Sequence, residues 1–130
     1  MKVEKTPPQV GLAGIGKGDY LRRQSEFDYV RANGTTLAGR LIVINIVSAP
    51  DNKVRIGIIV SKGYSRKAVH RNRARRLIRE SFRLLRTGIR PPVWIIVIAR
   101  RQLFSLKVQD VQGEFVQLLA DAKVSVTDPS

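Results

Sequence analysis

The segment from Arg66 to Arg86 constrains the fold of this chain most, because it combines nine Lys or Arg residues and one Glu with an apolar pattern of helical period. At about 100° per residue, six side chains fall at the i, i+3, i+4, i+7, i+8 and i+11 positions of one stripe. They are Ala74, Leu77, Ile78, Ser81, Phe82 and Leu85. We therefore predict an amphipathic helix that buries this stripe against the rest of the domain.

The rest of this helix surface is rich in arginine. Asn72, Arg76, Arg79 and Arg83 fall opposite the stripe, and Arg71, Arg73 and Arg75 fall at its edges. Like charges at these spacings repel one another, and Glu80 is the only acidic residue in the segment. Arginine binds phosphate through a planar, bidentate guanidinium and also stacks on bases. The sequence therefore predicts that the helix binds nucleic acid.

Composition supports this prediction and excludes several other functions. The net charge is +14, the sequence pI is about 11.3, and 130 residues fit one domain. The absence of Cys and the single His exclude a disulfide framework, a thiolate nucleophile and most zinc sites, and they fit a cytoplasmic protein. The apolar runs at 41–47 and 93–99 are too short to span a bilayer, so we expect no membrane partner.

Residues 1–19 are expected to form a flexible N-terminal arm, because this stretch is rich in Pro and Gly. The segment from Gly11 to Lys17 matches a phosphate-binding loop until Gly18, which replaces the Ser or Thr that should bind Mg²⁺. The two prolines just before it also exclude the buried strand that such a loop requires. We therefore do not expect binding of a nucleoside triphosphate.

The remaining pattern predicts an α/β (α+β) two-layer sandwich with elements in the order α-β-β-β-α-β-α. A helix is expected at 25–32, with Ser25 and Asp28 as a capping box and Asn33-Gly34 as its end. Strands are expected at 35–38, 41–47 and 54–60, with a turn at 51–52, and a further strand at 93–99 that is covered on both faces. The strands before and after the arginine helix should be parallel. A helix from 108 to 122 and a frayed tail at 124–130 complete the chain.

No pattern in the sequence suggests a catalytic group or a metal site in the protein itself. The sequence offers no nucleophile–base pair and no carboxylate cluster, and Asp110, Glu114 and Asp121 are interpreted as solvated residues of the last helix. His70 is interpreted as a surface residue. We therefore expect no catalytic residue and no metal ligand in this chain.

The segment from Lys67 to Glu80, KAVHRNRARRLIRE, strongly resembles the arginine-rich signature of the protein subunits of bacterial ribonuclease P. The segments 21–34, 55–62 and 93–100 are similar to the first helix of that family and to the strands on either side of its signature. The resemblance covers about residues 20–120 in the same order and spacing. Residues 20–123 are therefore interpreted as a single RNA-binding domain.

The resemblance implies a mixed four-stranded sheet and an unusual left-handed β-α-β crossover through the signature helix. It also implies that the protein does not cut RNA by itself. A catalytic RNA would remove the 5′ leader of precursor tRNA with Mg²⁺ that is held mainly by the RNA. The protein would bind this RNA through the signature helix and its loop, and it would hold the leader in a groove between the sheet and the first helix, without a small-molecule cofactor.

When the family's functional residues are carried over by position, nine of them would contact the catalytic RNA. These are Lys62, Arg66, Lys67, Arg71, Asn72, Arg73, Arg75, Arg76 and Arg79. Asn72 has a structural alternative, as a cap or bridge at the helix start. Glu80 has the alternative role of tempering the repulsion around Arg76, four residues before it.

The leader groove would include Phe27, Arg31 and Asn45. Phe27 matches an aromatic residue that lines the groove in the family, and a core position is an equal alternative. Arg31 and Asn45 stand where the family commonly has further aromatic residues, and Asn45 has the alternative role of a satisfied edge residue. The resemblance therefore implies that this chain binds the leader more through charge and hydrogen bonds than its relatives do.

Two other functions compete with this one. A structural RNA-binding protein of the ribosome could have a related basic fold, but it would lack the full signature from 67 to 80. A DNA-binding regulator would need base-reading residues and a dimer surface, whereas this helix uses nearly every exposed position for Arg.

Overall fold

The structure is a computed structural model that describes residues 19–100, 103 and 106–126. Over these residues it contains three α-helices and six strands. They are α1 (Gln24–Asn33), β1 (Thr35–Ala38), β2 (Ile42–Ser48), β3 (Arg55–Ile59), α2 (Ala68–Leu85), β4 (Ile89–Arg90), β5 (Val93–Ala99), α3 (Val108–Asp121) and β6 (Ser125–Val126). Apart from Asp19, the predicted N-terminal arm lies outside the described residues, as does the glycine-rich segment at 11–17.

Four strands form one mixed sheet in the order β1-β2-β5-β3. Strand β2 is antiparallel to both of its neighbours, β1 and β5, and β3 pairs with β5 in parallel, with Ile56 opposite Ile95. Helix α2 connects these two parallel strands, so the predicted β-α-β unit is confirmed and the α+β class with it. The hand of the crossover stays a prediction from the resemblance.

The sheet is covered on both faces, which explains the apolar run of β5. One face packs against α2 and α3 in a large core that includes Ile95 and Val97. The other face packs against α1, and there Trp94 and Ile96 form a smaller core with Val30. A strand that is buried on both faces needs no polar alternation, as the sequence predicted.

Helix α2 buries the predicted stripe. All six of its members are buried, with Phe82 stacked on Phe115 of α3 at a centroid distance of 6.4 Å. Since this stripe faces the sheet and α3, the arginine-rich side of α2 faces outward. No helix in the described residues is both long and apolar enough to cross a membrane.

Helix α1 begins earlier than the sequence predicted and has a different cap. The carboxylate of Glu26 accepts hydrogen bonds from the backbone N–H groups of Arg22 and Arg23, at 2.6 and 2.9 Å, so the predicted Ser25 and Asp28 box is wrong. The predicted end is confirmed at Gly34. A Cβ atom there would lie 2.5 Å from the carbonyl oxygen of Val30, so the close approach of the backbone requires glycine.

The turn between β2 and β3 is fixed by Asp51. Its carboxylate accepts hydrogen bonds from Trp94 Nε1 at 2.9 Å, Arg55 Nε at 2.6 Å and the Lys53 N–H at 3.1 Å. Although burial acts in the opposite direction, these bonds lower the pKa of Asp51. The left-handed φ of 60° at Asn52 fits the turn predicted at 51–52.

Glu114 was interpreted as a solvated residue, and this interpretation is wrong. Its two carboxylate oxygens accept hydrogen bonds from the backbone N–H groups of Arg40 at 3.0 Å, Leu41 at 2.7 Å and Ile42 at 2.8 Å. The turn between β1 and β2 packs so closely on α3 that a Cβ atom at Gly39 would lie 2.4 Å from the Glu114 carboxylate. Glu114 therefore clamps this turn to α3. Asp110 and Asp121 are exposed, as predicted.

The expected frayed tail at 124–130 is wrong for its first three residues. The chain turns after α3 at Lys123, whose φ is 64°, and Val124 then enters the core. Strand β6 pairs with β4, with Ser125 opposite Arg90. Apolar contact and strand pairing therefore order this part of the chain, and residues 127–130 lie outside the described residues.

Candidate RNA interface

The loop between β3 and α2 is tied to the helix by two arginines of the signature. Arg71 donates from Nη1 to the carbonyl oxygen of Ser65 at 2.8 Å, and Arg75 donates from Nη2 to the carbonyl oxygen of Val60 at 3.3 Å. Ser65 Oγ accepts the Lys67 N–H at 3.2 Å, and it is hydrogen bonded to His70 Nδ1, also at 3.2 Å. These bonds hold the loop against the first turn of α2. His70 is therefore half-buried rather than a simple surface residue.

The nine residues predicted to bind the catalytic RNA form two groups in the structure. Arg71 and Arg75 are half-buried, because they hold the loop. The other seven are exposed: Lys62, Arg66, Lys67, Asn72, Arg73, Arg76 and Arg79. The exposed group lies on the loop and the N-terminal half of α2, and we call these seven residues the signature surface.

Asn72 does not cap the helix, because α2 begins four residues before it, at Ala68. Its amide oxygen accepts a hydrogen bond from Arg75 Nη1 at 3.0 Å. Asn72 therefore helps to orient the arginine that holds the loop, which is a bridging role within the signature.

Glu80 pairs with Arg83 and not with Arg76, so it reduces the local repulsion on this face of the helix, as interpreted, through a different arginine. Its carboxylate accepts hydrogen bonds from both Nε and Nη2 of Arg83. These bonds lower the pKa of Glu80 and raise that of Arg83. Within the described part of the chain, Arg76 and Arg79 form no salt bridge.

The residues predicted for the leader groove lie beside α1 on the second face of the sheet, and we call this part of the surface the groove. Phe27 is half-buried and packs against Leu21, Trp94 and Ile96, while its ring lies over Gly57. A Cβ atom at position 57 would lie 2.6 Å from the ring, so this glycine provides the space for Phe27. Phe27 therefore contributes to the smaller core while remaining partly accessible, and its role in the leader groove stays a prediction.

The floor of this groove is a row of half-exposed apolar residues that the sequence analysis missed. Ile59, Ile98 and Val43 are neighbours across β3, β5 and β2, and each is only partly buried. They lie two residues beyond the positions that α1 covers, such as Gly57 and Ile96. The alternation of β2 could have indicated Val43, since Ile42 and Ile44 face the larger core.

Polar groups line the same groove. Asn45 is half-buried, and its amide oxygen accepts a hydrogen bond from Thr36 Oγ1 of the edge strand β1, so its side chain is satisfied as predicted, although β2 is an inner strand and not an edge strand. Arg31 follows Phe27 by one helical turn and is exposed. Tyr29 packs on the other side of α1, edge to face with Trp94 at a centroid distance of 5.8 Å. The residues predicted for the groove thus combine a half-buried aromatic ring, a row of partly buried apolar residues and the exposed Arg31 one helical turn after Phe27.

The arrangement offers binding groups rather than catalytic ones. Among the described residues, no three His, Cys, Asp or Glu side chains lie close enough together to hold a metal ion. Guanidinium groups and partly accessible aromatic and apolar side chains are the groups that bind phosphates and unstacked bases of single-stranded RNA.

The sequence matches the family model described as Ribonuclease P over residues 15–123. Among its relatives, the ribonuclease P protein component of Exiguobacterium sp. is 36% identical over 104 residues, which cover 80% of this chain and 90% of the relative. That of Pelotomaculum thermopropionicum is 34% identical over 107 residues, which cover 82% and 95% of the two chains.

Solved structures give the same result. The ribonuclease P protein of Staphylococcus aureus matches with a TM-score of 0.71 and 30% identity, over 82% of this chain and 97% of that chain. The protein from Thermotoga maritima matches with a TM-score of 0.68 and 26% identity, over 78% and 96%. The similarity therefore extends over most of the fold described above.

Proposed function

The chain belongs to the ribonuclease P protein family, and on this premise we propose that its signature surface binds the catalytic RNA while the groove beside α1 holds the 5′ leader of precursor tRNA. Its function as the protein component of an endoribonuclease that processes the 5′ end of tRNA follows from that membership. The alternative of a structural ribosomal protein is not supported.

One observation carries the assignment of the signature surface to RNA. Arg76 and Arg79 are exposed on a helix whose other face is fixed in the core, and they form no salt bridge among the described residues. Unpaired like charges on a helix repel one another, so these arginines do not stabilise the fold. RNA phosphates would compensate these charges through bidentate hydrogen bonds.

The groove supports the assignment to the leader. A single strand needs a surface for its bases and cations for its phosphates. Phe27 and the apolar row provide the first, and Arg31 provides a cation next to them. Since Arg31 and Asn45 are polar, we propose that charge and hydrogen bonds contribute more to leader binding here than base stacking beyond Phe27.

The chemistry of cleavage belongs to the catalytic RNA in this proposal. Mg²⁺ would be held mainly by that RNA. The protein would supply binding energy and would place the leader. We propose that it works in the bacterial cytoplasm, a reducing compartment with which a chain without Cys is compatible.

Replacing Phe27 with Ala tests the groove. In holoenzyme reconstituted with a bacterial ribonuclease P RNA, F27A is expected to weaken binding of precursor tRNA by about 1–3 kcal/mol, which is the contribution of one stacked base. Binding of mature tRNA should stay unchanged, because it has no leader. Binding constants of both RNAs, measured by filter binding or fluorescence, provide the comparison.

Two further variants separate stacking from stability. Y29A removes an aromatic residue from the other side of α1 and should leave the binding of both precursor and mature tRNA unchanged. G57A should resemble F27A, because its Cβ atom would push the ring out of position. Equal losses for precursor and mature tRNA, together with a lower melting temperature, would show that Phe27 acts only in the core.

A further inference from the structure

The turn between β1 and β2 is held more firmly than its own strand pairing requires. The N–H of Gly39 already closes it by donating to the carbonyl oxygen of Ile42 at 2.8 Å. Glu114 adds three hydrogen bonds to the backbone N–H groups of residues 40–42, and Arg100 Nη1 donates to the carbonyl oxygen of Gly39 at 2.6 Å. Four side-chain hydrogen bonds, from Glu114 on α3 and from Arg100 just after β5, therefore fix the backbone of this turn.

Arg40 lies at the centre of this fixed turn, and its side chain is exposed. Glu114 is the acidic residue in contact with the turn, and its two oxygens already accept the three backbone N–H groups. Among the described residues, Arg40 forms no salt bridge. A cation on a rigid backbone loses less conformational entropy when it binds an anion than one on a mobile loop does.

The turn stands at one end of the groove floor. The row of Ile59, Ile98 and Val43 continues in register to Ala38 on β1, and Ala38 is directly followed by the turn. At the other end of the row, β3 leads into the loop of the signature surface. With strands about 4.8 Å apart, this row is about 14 Å long from β3 to β1. A single strand that follows the row from the signature surface would therefore reach the turn that carries Arg40.

We propose that Arg40 binds a backbone phosphate of the precursor leader, at the end of the groove far from the signature surface, and that Glu114 positions it by fixing the turn. This inference rests on the proposed function, because it needs the leader in the groove. It adds a contact that only a leader long enough to cross the whole row can reach. Short leaders would bind without it.

A series of leader lengths tests this inference with the reconstituted holoenzyme. Precursor tRNAs with leaders of increasing length, from one nucleotide upward, and mature tRNA would be titrated with wild-type protein, R40A and R40K. R40A should bind long-leader precursors three- to tenfold more weakly. For these precursors, the slope of log K against log salt should be smaller by roughly 0.7, the value for one phosphate of a single strand. Short-leader precursors and mature tRNA should bind as to the wild type, and R40K should restore part of the loss.

Lys53 provides a matched control, because it is exposed before the start of β3, at the opposite end of the sheet. K53A removes the same charge and should leave the dependence on leader length unchanged. If R40A loses the same affinity for every RNA, Arg40 contacts the catalytic RNA or the body of the tRNA. If R40A binds long-leader precursors as tightly as the wild type does, Arg40 contacts no RNA. Either result would overturn the inference, provided that the wild-type protein binds precursor tRNA more tightly than mature tRNA. If the wild type shows no such preference, the proposed groove function itself fails.

Discussion

Replacing both Arg76 and Arg79 with Ala is expected to weaken binding of the protein to the catalytic RNA by on the order of 100-fold. Both side chains are exposed on α2 and form no salt bridge among the described residues. A hydrogen bond to a charged group contributes about 1.5–3 kcal/mol, so two lost contacts remove about 3 kcal/mol or more. The slope of log K against log salt should fall by about 1.8, taking the B-DNA value per phosphate for duplex RNA.

The matched control for this variant removes the same two charges elsewhere. Lys53 and Arg90 are exposed near the C-terminal end of α2, beside Thr87. K53A/R90A should lower affinity only slightly and should keep most of the salt slope. If both double variants lose the same affinity, total charge and not the signature surface governs binding, and an unchanged slope for R76A/R79A would mean that these side chains do not touch phosphate.

Replacing Glu114 with Ala is expected to lower the free energy of unfolding by about 2–4 kcal/mol. The change leaves three backbone N–H groups without their acceptor, and those of Leu41 and Ile42 are partly buried. A buried donor without a partner costs about 1–3 kcal/mol, and water can replace the acceptor only at the exposed Arg40. Urea denaturation of the free protein, monitored by Trp94 fluorescence, provides the measurement.

Two controls identify the clamp as the cause of this loss. Q117A changes an exposed residue of the same helix and should cost less than about 0.5 kcal/mol. E114Q keeps a single acceptor oxygen at nearly the same shape, so its loss should lie between those of Q117A and E114A. A loss for E114A no larger than that for Q117A would show that these hydrogen bonds do not stabilise the fold.

The arginine helix was the most predictable part of the fold, because a single periodicity specifies it. Six apolar or small residues at helical spacing define its buried stripe, and the structure buries all six. The strand at 93–99 was predictable for a similar reason, since a run without polar alternation indicates burial on both faces. In both cases the pattern lies within one element and needs no knowledge of its neighbours.

Residues whose role depends on a distant partner could not be predicted in this way. Glu114 has the spacing of a solvated helix residue, but its carboxylate accepts hydrogen bonds from the backbone of a turn more than 70 positions earlier in the chain. The capping role of Glu26 was missed because its side chain, longer than that of Asp, reaches back past Ser25 to the N–H groups of two earlier residues. The short β4–β6 pair has too few residues for any periodicity.

The nine residues of the signature have two different roles in the structure, and their spacing does not reveal which residue has which role. All nine positions carry a charge or an amide, yet Arg71 and Arg75 donate to backbone carbonyl groups of the loop before α2. This division depends on how the loop folds back on the helix. The groove floor depends similarly on the position of α1, which covers Ile96 but leaves Ile98 partly exposed.

The most direct test of the whole account is cleavage of precursor tRNA at low Mg²⁺, where the catalytic RNA alone is nearly inactive. The purified protein is added to a bacterial ribonuclease P RNA, and release of the 5′ leader is followed on a gel. We expect cleavage at the mature 5′ end only when RNA and protein are both present, and none with protein that has been freed of RNA. Leader release by the protein alone, or no stimulation of the RNA by correctly folded protein, would contradict the account.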